Sequence, residues 1–332
     1  MNFITSSIND GDYCIGVFLD LKKAFDVCSH DVLLKKLDNI GVRGMTLNWF
    51  ASYLQNRKQL VEVDGHASDP MLLAALSIIQ GSTLGPILFN IYINDLPRST
   101  SLHTTLFADD TGALNRGKKL PELIENTNIE LAKLSAWFRA NKMAVNTAKT
   151  KYLIFHTKGK QINMGGKQIL FNENDENAPQ LPQNINPLER IHLGHHTKSL
   201  RTYKLLGIHL DENLTFDTNT NFLITKLAKS IHCINKVKNT LPHKALLSLY
   251  YAIIHSHLSY CTTITSSTSN SNINKITKMQ KKAIRIITNS SYTAHTLPLF
   301  NNLGILQYTD LITQSQQLSC MQYTINMHQM LF

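Results

Sequence analysis

Between residues 218 and 309 the sequence contains no aspartate and no glutamate, yet it carries ten lysines or arginines there. The remaining 23 basic residues are matched by 23 acidic ones, so the whole net charge of +10 belongs to that one stretch. A segment without acids excludes an acid-lined site within it and suits a polyanion, most simply a nucleic-acid backbone. A helical domain with solvated lysine faces is the plain alternative. No run of eighteen apolar residues occurs, which excludes an apolar membrane-spanning helix and argues against a membrane partner. The opening MNFITSSINDGDY lacks the basic and apolar regions of a secretory signal. Cysteine is sparse and odd in number: Cys14, Cys28, Cys233, Cys261 and Cys320 show neither zinc spacing nor a disulfide framework. Free thiols fit a reducing, intracellular setting, in the nucleus or cytoplasm, rather than secretion. No compact basic import run and no internal repeat is present.

What is present suggests two domains. With 332 residues and 43% hydrophobic content the chain can bury a sizeable core. Residues 13–19 (YCIGVFL) read as a buried strand ending at Asp20. Ser29 reads as the N-cap of a helix closed by Gly41, and a second helix runs from about Thr46 to Leu54. Gln59–Val63 alternates like a strand and stops at Asp64-Gly65, and an apolar helix is expected over about 82–95. Pro121 opens a long helix striped by Leu123, Ile124, Leu131, Leu134, Trp137 and Phe138. Residues 151–155 and 203–210 read as strands, with an irregular insertion over 159–200. Helices follow at roughly 220–238, 243–260 and 273–288, with a Ser/Thr/Asn tract at 262–272. The expected fold class is α+β: a first domain over 1–217 with a mixed or antiparallel sheet, then a basic helical domain over 218–332.

Residues 106–113 (LFADDTGA) put two adjacent carboxylates, Asp109 and Asp110, inside an apolar stretch. Side-by-side carboxylates repel, and burying one unpaired costs several kcal/mol, so they mark either a solvated turn or a cation site. Asp109-Asp110-Thr111-Gly112 has turn composition between two strands. Asp20 also ends an apolar strand. Were the two strands neighbours, three carboxylates would meet at one sheet edge, and hard cations such as Mg²⁺ take oxygen ligands of this kind.

Five segments occur in order: FLDLKKAFD (18–26), QGSTLGPILFNIYINDLP (80–97), LFADD (106–110), Asn141 and Asn146 with Lys149–Lys151, and YKLLG (203–207). Together they resemble the successive palm motifs of reverse transcriptases. The INDLP, FADDT and HSHLSY…QKKAIRI stretches are similar to retroelements without long terminal repeats (LINE-type, jockey-like). The resemblance covers nearly the whole chain. It implies an RNA-directed DNA polymerase with a palm, partial fingers over 27–75 and a thumb-like helical region. It also implies two Mg²⁺ (or Mn²⁺) ions as cofactors. The implied partners are an RNA template, a DNA primer and deoxynucleoside triphosphates.

By position, the resemblance implies that Asp20 and Asp109 are the main metal ligands and Asp110 the adjacent carboxylate. Leu21 would supply a backbone carbonyl on the nucleotide side, and Phe25 the aromatic platform that excludes a 2′-hydroxyl. Gln80 and Gly81 would line the nascent base pair, and Lys149 would protonate the pyrophosphate leaving group. Leu206 and Gly207 would grip the primer end. Lys226, Lys229, Lys278, Lys281, Lys282 and Arg285 would follow phosphates. Asp26 reads as a turn cap, and His255 and His257 as packing or phosphate-facing residues, without a third ligand for a metal. Two departures stand out. Ser77-Ile78-Ile79 replaces the family's Gly-Val-Pro before Gln80, and the chain begins only nineteen residues before Asp20. Against the family, it reads as an N-terminally truncated polymerase without its first fingers strands or an endonuclease. The alternative is a catalytically inactive nucleic-acid-binding remnant.

Overall fold

The apolar run at 13–19 forms β1 (Tyr13–Leu19), all seven of whose residues are buried, as expected for a central strand covered on both faces. The computed structural model describes residues 1–55, 57–69, 71–72, 77–79, 81–172, 185–190 and 202–330. They fall into two compact units, 2–191 and 192–332.

In the first unit β1 is flanked by β3 (Asp110–Gly117) and β4 (Lys151–Phe155), both antiparallel to it. Strand β2 (His103–Phe107) pairs antiparallel with β3 at one edge, and β5 (Glu189–Arg190) pairs parallel with β4 at the other, giving the order β5-β4-β1-β3-β2. This bears out the α+β reading with a mixed, mainly antiparallel sheet. Gly16 lies where a Cβ would meet Leu114 and Phe155 side-chain carbons at 3.0 Å, so the middle of the sheet has room only for hydrogen there. Helices α1 (Asn2–Asn9), α2 (His30–Asn39), α3 (Met45–Leu54), α4 (Gly85–Ile93) and α5 (Leu120–Ala140) complete the unit. The expected stripe of α5 is buried at Leu123, Ile124, Leu131, Leu134 and Phe138, while Trp137 is half-buried. Each such side chain contributes about 1.5–3 kcal/mol by leaving water.

Several local expectations are revised. Gln59–Val63 is no single strand. Lys58–Gln59 pairs with Met71–Leu72, and Glu62–Val63 pairs with His66–Ala67 across the Asp64-Gly65 turn, whose two positive φ angles suit Asp-Gly. The helix expected over 82–95 starts at Gly85 and passes into a 3₁₀ turn at Leu96–Ser99. Ser29 occupies the N-cap position of α2 without a side-chain capping bond; its N–H donates to the Tyr92 hydroxyl at 3.2 Å. Gly41 does close α2: its N–H bonds Asp38 O and Val42 N–H bonds Leu37 O, the paired bonds of a left-handed helix stop. The part of the insertion that is described contributes the pair Leu170–Asn172 with Ile185–Pro187, and β5; residues 173–184 and 191–201 lie outside the described residues.

Glu130, buried on α5, fastens that helix to the chain leading into β2. Burial pushes its carboxyl up, but Lys133, the Ser101 N–H (2.7 Å) and the Thr100 hydroxyl (2.9 Å) outweigh this and hold it down at about 2. A depressed acid contributes stability above its unfolded value near 4.5 and loses it as pH falls toward 2. Glu130→Ala is therefore expected to lower stability by about 1–3 kcal/mol at pH 7, with the gap closing toward pH 3. Denaturant unfolding followed by tryptophan fluorescence checks it, since Trp49 and Trp137 both lie in this unit.

The second unit begins with the hairpin β6 (Tyr203–Leu205) and β7 (Ile208–Leu210). Helices α6 (Asp217–Val237), α7 (His243–Tyr250), α8 (Ser256–Ser259), α9 (Asn270–Ile287), α10 (Leu297–Leu303) and α11 (Tyr308–Met330) follow. The compact unit that holds this hairpin starts at residue 192. The hairpin packs on α6: the His209 ring meets Phe222 at 4.9 Å, and the His209 N–H donates to Asn219 Oδ1. The helix expected over 243–260 is interrupted by a π turn at Tyr251–His255, and the 262–272 tract holds a short helix at Thr262–Thr265. On α9 the buried side is Ile276, Gln280, Ala283, Ile284 and Ile287. Gln280 is fully buried and satisfied: it donates to the Tyr250 hydroxyl and Leu306 O and accepts from Tyr308 N–H. No described helix is long and apolar enough to cross a membrane.

Candidate functional site

Register brings the aspartates to one place. Leu19 pairs with Thr111, so Asp20, one residue past β1, lies alongside Asp110, one residue before Thr111. Asp110 also pairs with Phe107 across the β2–β3 hairpin. The turn is therefore only Ala108-Asp109, shorter than the four-residue turn expected from composition, because Asp110 and Gly112 already carry strand pairing. Ala108 takes φ of +50°, a strained value for a residue with a Cβ, and it holds Asp109 at the exposed tip. Gly112 is required by close approach: a Cβ there would sit 2.8 Å from Thr105 Oγ1.

The three acids meet as charges. Burial, then the Asp109 charge, then the Asp20 charge raise the Asp110 carboxyl above the usual aspartate range. Among the described residues, however, no three carboxylate, imidazole or thiol groups form a cluster able to chelate an ion. Ionised carboxylates repel, so gathering three of them at the end of β1 carries an electrostatic cost. Oxygen-only donors on adjacent backbone segments still fit a hard divalent cation better than a soft one.

Asp20 is held from the backbone. Its N–H donates to the fully buried Thr150 hydroxyl at 3.2 Å, and its C=O accepts from Asn146 N–H at 2.7 Å. Lys22 N–H bonds Ala144 O, so Leu21 bridges Val145 with hydrogen bonds on both sides of it. In that pattern the bonds flank Leu21, and its own C=O turns away from 144–146. Lys149 sits exposed in the turn between Asn146 and Thr150, its N–H on Asn146 O. Sequence reading quoted the Asn146 and Lys149–Lys151 segment but missed that Thr150 positions Asp20; a buried threonine in a lysine-rich tract gives little signal.

Phe25 is half-buried and stacks on the buried Phe89 of α4, centroids 4.5 Å apart. Its C=O accepts from Ile78 N–H at 2.8 Å, and the Ser82 hydroxyl donates to Ile79 O at 2.8 Å. These bonds secure the segment that lacks the family's proline. Gln80 lies outside the described residues; Gly81 is exposed at φ +78°.

In the second unit Leu206 and Gly207 form the two-residue turn of β6–β7, both at positive φ, and Leu206 O accepts from the Tyr260 hydroxyl. Lys226 and Lys229 are exposed on α6, Lys278 and Lys282 on α9, and Lys281 is half-exposed beside them. Arg285 is tied down: Nε donates to Ala294 O at 3.0 Å and its guanidinium lies 5.9 Å from the Tyr292 ring. His255 packs between Tyr250 and Tyr251. His257 lines a cleft with Lys226, so the two histidines part company.

Residues 3–210 match the family model described as reverse transcriptase (RNA-dependent DNA polymerase). The RNA-directed DNA polymerase from mobile element jockey of Drosophila melanogaster is 26% identical over 325 residues, covering 93% of this chain and 32% of that protein. The probable RNA-directed DNA polymerase from transposon BS of the same species is 26% identical over 314 residues, covering 91% and 32%. The corresponding probable polymerase from its transposon X-element is 23% identical over 319 residues, covering 94% and 32%. The chain thus spans about a third of the length of these relatives.

Proposed function

Since this chain belongs to the reverse transcriptase family, we propose that it carries the nucleotidyl-transfer centre of an RNA-directed DNA polymerase, extending a primer 3′-OH with deoxynucleoside triphosphates along an RNA template. The observation that carries the reading is the β1–β3 register, which sets Asp20 beside Asp110 and next to Asp109. Asp20, Asp109 and Asp110 would hold two Mg²⁺ or Mn²⁺ ions. Such ions, when bound, supply charge neutralisation at the attacking and leaving oxygens of an in-line displacement.

The chain's own residues supply positioning. Thr150 and Asn146 fix the Asp20 backbone, so the point from which its carboxylate projects is set before any ion binds. Leu21 C=O, turned away from the 144–146 ladder, is free of that ladder's bonds to face the nucleotide. Phe25, braced by Phe89, would fill the space a 2′-hydroxyl needs, and Gln80 with Gly81 would border the new base pair. Lys149 would donate a proton to pyrophosphate. The palm would be the region about the sheet, with partial fingers over 27–75, and the thumb the helices after 218. Leu206-Gly207 would meet the primer end, and Lys226, Lys229, Lys278, Lys281, Lys282 and Arg285 would follow phosphates rather than read bases.

Purified protein given oligo(dT)-primed poly(rA), dTTP and Mg²⁺ is expected to incorporate label, with incorporation lost on chelation. No incorporation with either Mg²⁺ or Mn²⁺ would remove the catalytic reading. Phe25→Val is expected to raise ribonucleotide use relative to deoxynucleotide use by about tenfold or more, as an emptied contact of that size allows. Competition between dTTP and UTP measures it, and an unchanged ratio removes Phe25 from sugar selection.

A second reading, a binding remnant without catalysis, is favoured by the acid-free basic stretch over 218–309. In either case binding of an RNA–DNA duplex is expected to fall with salt at a log–log slope of about −5, the value for six phosphate contacts. A slope near zero would contradict both.

A further inference from the structure

The approach to α4 over residues 77–79 contains no proline, so no ring fixes its φ angles and hydrogen bonds hold it instead. On one side it is joined to the segment between Phe25 and α2. Ile78, 1% exposed, donates its N–H to Phe25 O at 2.8 Å, and His30 Nε2 lies 2.8 Å from Ser77 O. A carbonyl oxygen only accepts, so Nε2 is a protonated nitrogen of the His30 ring. On the other side Ile79 O accepts from the Ser82 hydroxyl, and a Cβ on Gly85 would come within 2.9 Å of it. Only glycine at the start of α4 allows that approach. Ser77, Ile78 and Ile79 are thus each tied, and Gly81 follows two residues later. His30 is itself held. It is buried, 6% exposed, at the first residue of α2. The fully buried Tyr92 hydroxyl of α4 accepts the N–H of Ser29, the preceding residue, and donates to Asn141 O. The His30 ring therefore projects from a backbone that α4 fixes, and little water reaches it to replace a lost donor.

We propose that His30 is a positioning residue for base selection: through Ser77 O it sets where Gly81 borders the nascent base pair, relative to Phe25 at the sugar. The inference rests on the polymerase reading above. The Phe25 ring is braced independently by Phe89, so loss of the His30 bond loosens the base-pair side of the pocket and leaves the sugar side in place. A pocket wall selects bases by following the outline of a correct pair, and a wall free to shift by a fraction of an ångström admits mispairs. His30 touches neither nucleotide nor ion in this scheme and moves no proton. Its effect travels through one hydrogen bond that joins residues 47 apart in the chain.

The test is incorporation by the full chain on oligo(dT)-primed poly(rA), comparing dTTP, dCTP and UTP. His30→Leu fills the site but has no donor, and His30→Gln restores an N–H at about the reach of Nε2. In His30→Leu the KM for dTTP is expected to rise about tenfold with kcat within about twofold. The preference for dTTP over dCTP should fall about tenfold, while the preference for dTTP over UTP stays. His30→Gln should recover both. His30→Asn, too short to reach Ser77 O, should behave as His30→Leu does and serves if the leucine variant does not fold. Glu130→Ala, which loosens a different contact of the same unit, should leave KM and base preference unchanged. Amide hydrogen exchange reads the clamp without any activity: a peptide covering Ile78 should exchange faster in His30→Leu than in the parent or His30→Gln. With an active parent, an unchanged KM and base preference in His30→Leu, equal changes in Glu130→Ala, or unchanged exchange at 77–79 overturns this proposal alone. A parent chain that incorporates nothing with either ion removes the polymerase reading and this role with it.

Discussion

Asp110→Asn is expected to lower primer extension by about a thousandfold or more while raising the melting temperature of the protein at pH 8. The two effects share one cause. The Asp110 carboxyl is raised by burial and by the charges of Asp109 and Asp20, so its ionised form is disfavoured in the folded chain. A raised acid gives the fold its full stability below the unfolded pKa and loses it as pH climbs through the folded pKa. At pH 8 the charge is present and costs stability; asparagine removes that cost, by enough to raise Tm by about 1–3 °C. At pH 3 to 4 both chains carry a neutral group and their melting temperatures should converge. The same charge is what two divalent ions would need, and loss of a principal electrostatic contact at a transition state commonly costs a factor of hundreds to a thousand. Asp109→Asn should show a comparable activity loss with a smaller stability gain, since Asp109 is exposed at the turn tip. Steady-state incorporation and calorimetry at the two pH values decide this. Full activity in Asp110→Asn, or a lowered Tm at pH 8, would refute the account of the site.

The second large effect lies far from any catalytic role. Asp211, directly after β7, is buried and accepts four hydrogen bonds: from the N–H of Asn213 (3.1 Å), Thr215 (3.0 Å) and Phe216 (3.0 Å), and from the Thr215 hydroxyl (3.0 Å). One carboxylate thus shapes the loop that turns the chain from hairpin to α6, including the left-handed backbone of the buried Phe216. Removing it orphans three buried or half-buried N–H groups together. Asp211→Ala is expected to cost about 3–5 kcal/mol, and Asp211→Asn less, because the amide keeps one acceptor oxygen. Both tryptophans lie in the first unit, so fluorescence and far-UV circular dichroism separate the two. The dichroism midpoint, weighted by the helices after 217, should shift to lower denaturant. A dichroism midpoint equal to that of the parent chain would show that the loop is held some other way.

Much of the local structure could be read from the residues. YCIGVFL announces a buried strand by having no polar residue at all, and the α5 and α9 stripes repeat at helical spacing. Gly41 and Asp64-Gly65 stop their elements for stated conformational reasons. Where reading failed, something nonlocal decided. Asp110 looks like a turn residue by composition and is a strand residue because Phe107 and the neighbourhood of Leu19 pair with it. Gln59–Val63 alternates like one strand and is split because two different partners compete for its halves. The hairpin at 203–210 reads as the end of the first domain, and packing of His209 on Phe222 assigns it to the second. Thr150 and Phe89 lie inside motif segments whose residues give no hint of these roles, and Asp211 lies in none; each matters through a partner remote in the chain or through a loop bent back on itself.

The sequence by itself determined which side chains are present in which order: oxygen donors at two strand ends, an aromatic five residues after the first, and a basic stretch with every acid removed. Composition and periodicity are local, and they survive any arrangement of the elements. Only tertiary structure decided that position 20 lies across from 110 and that Lys226 and His257, far apart in sequence, line one cleft. Those outcomes depend on strand register and helix rotation, where a shift of one residue moves a side chain to the opposite face.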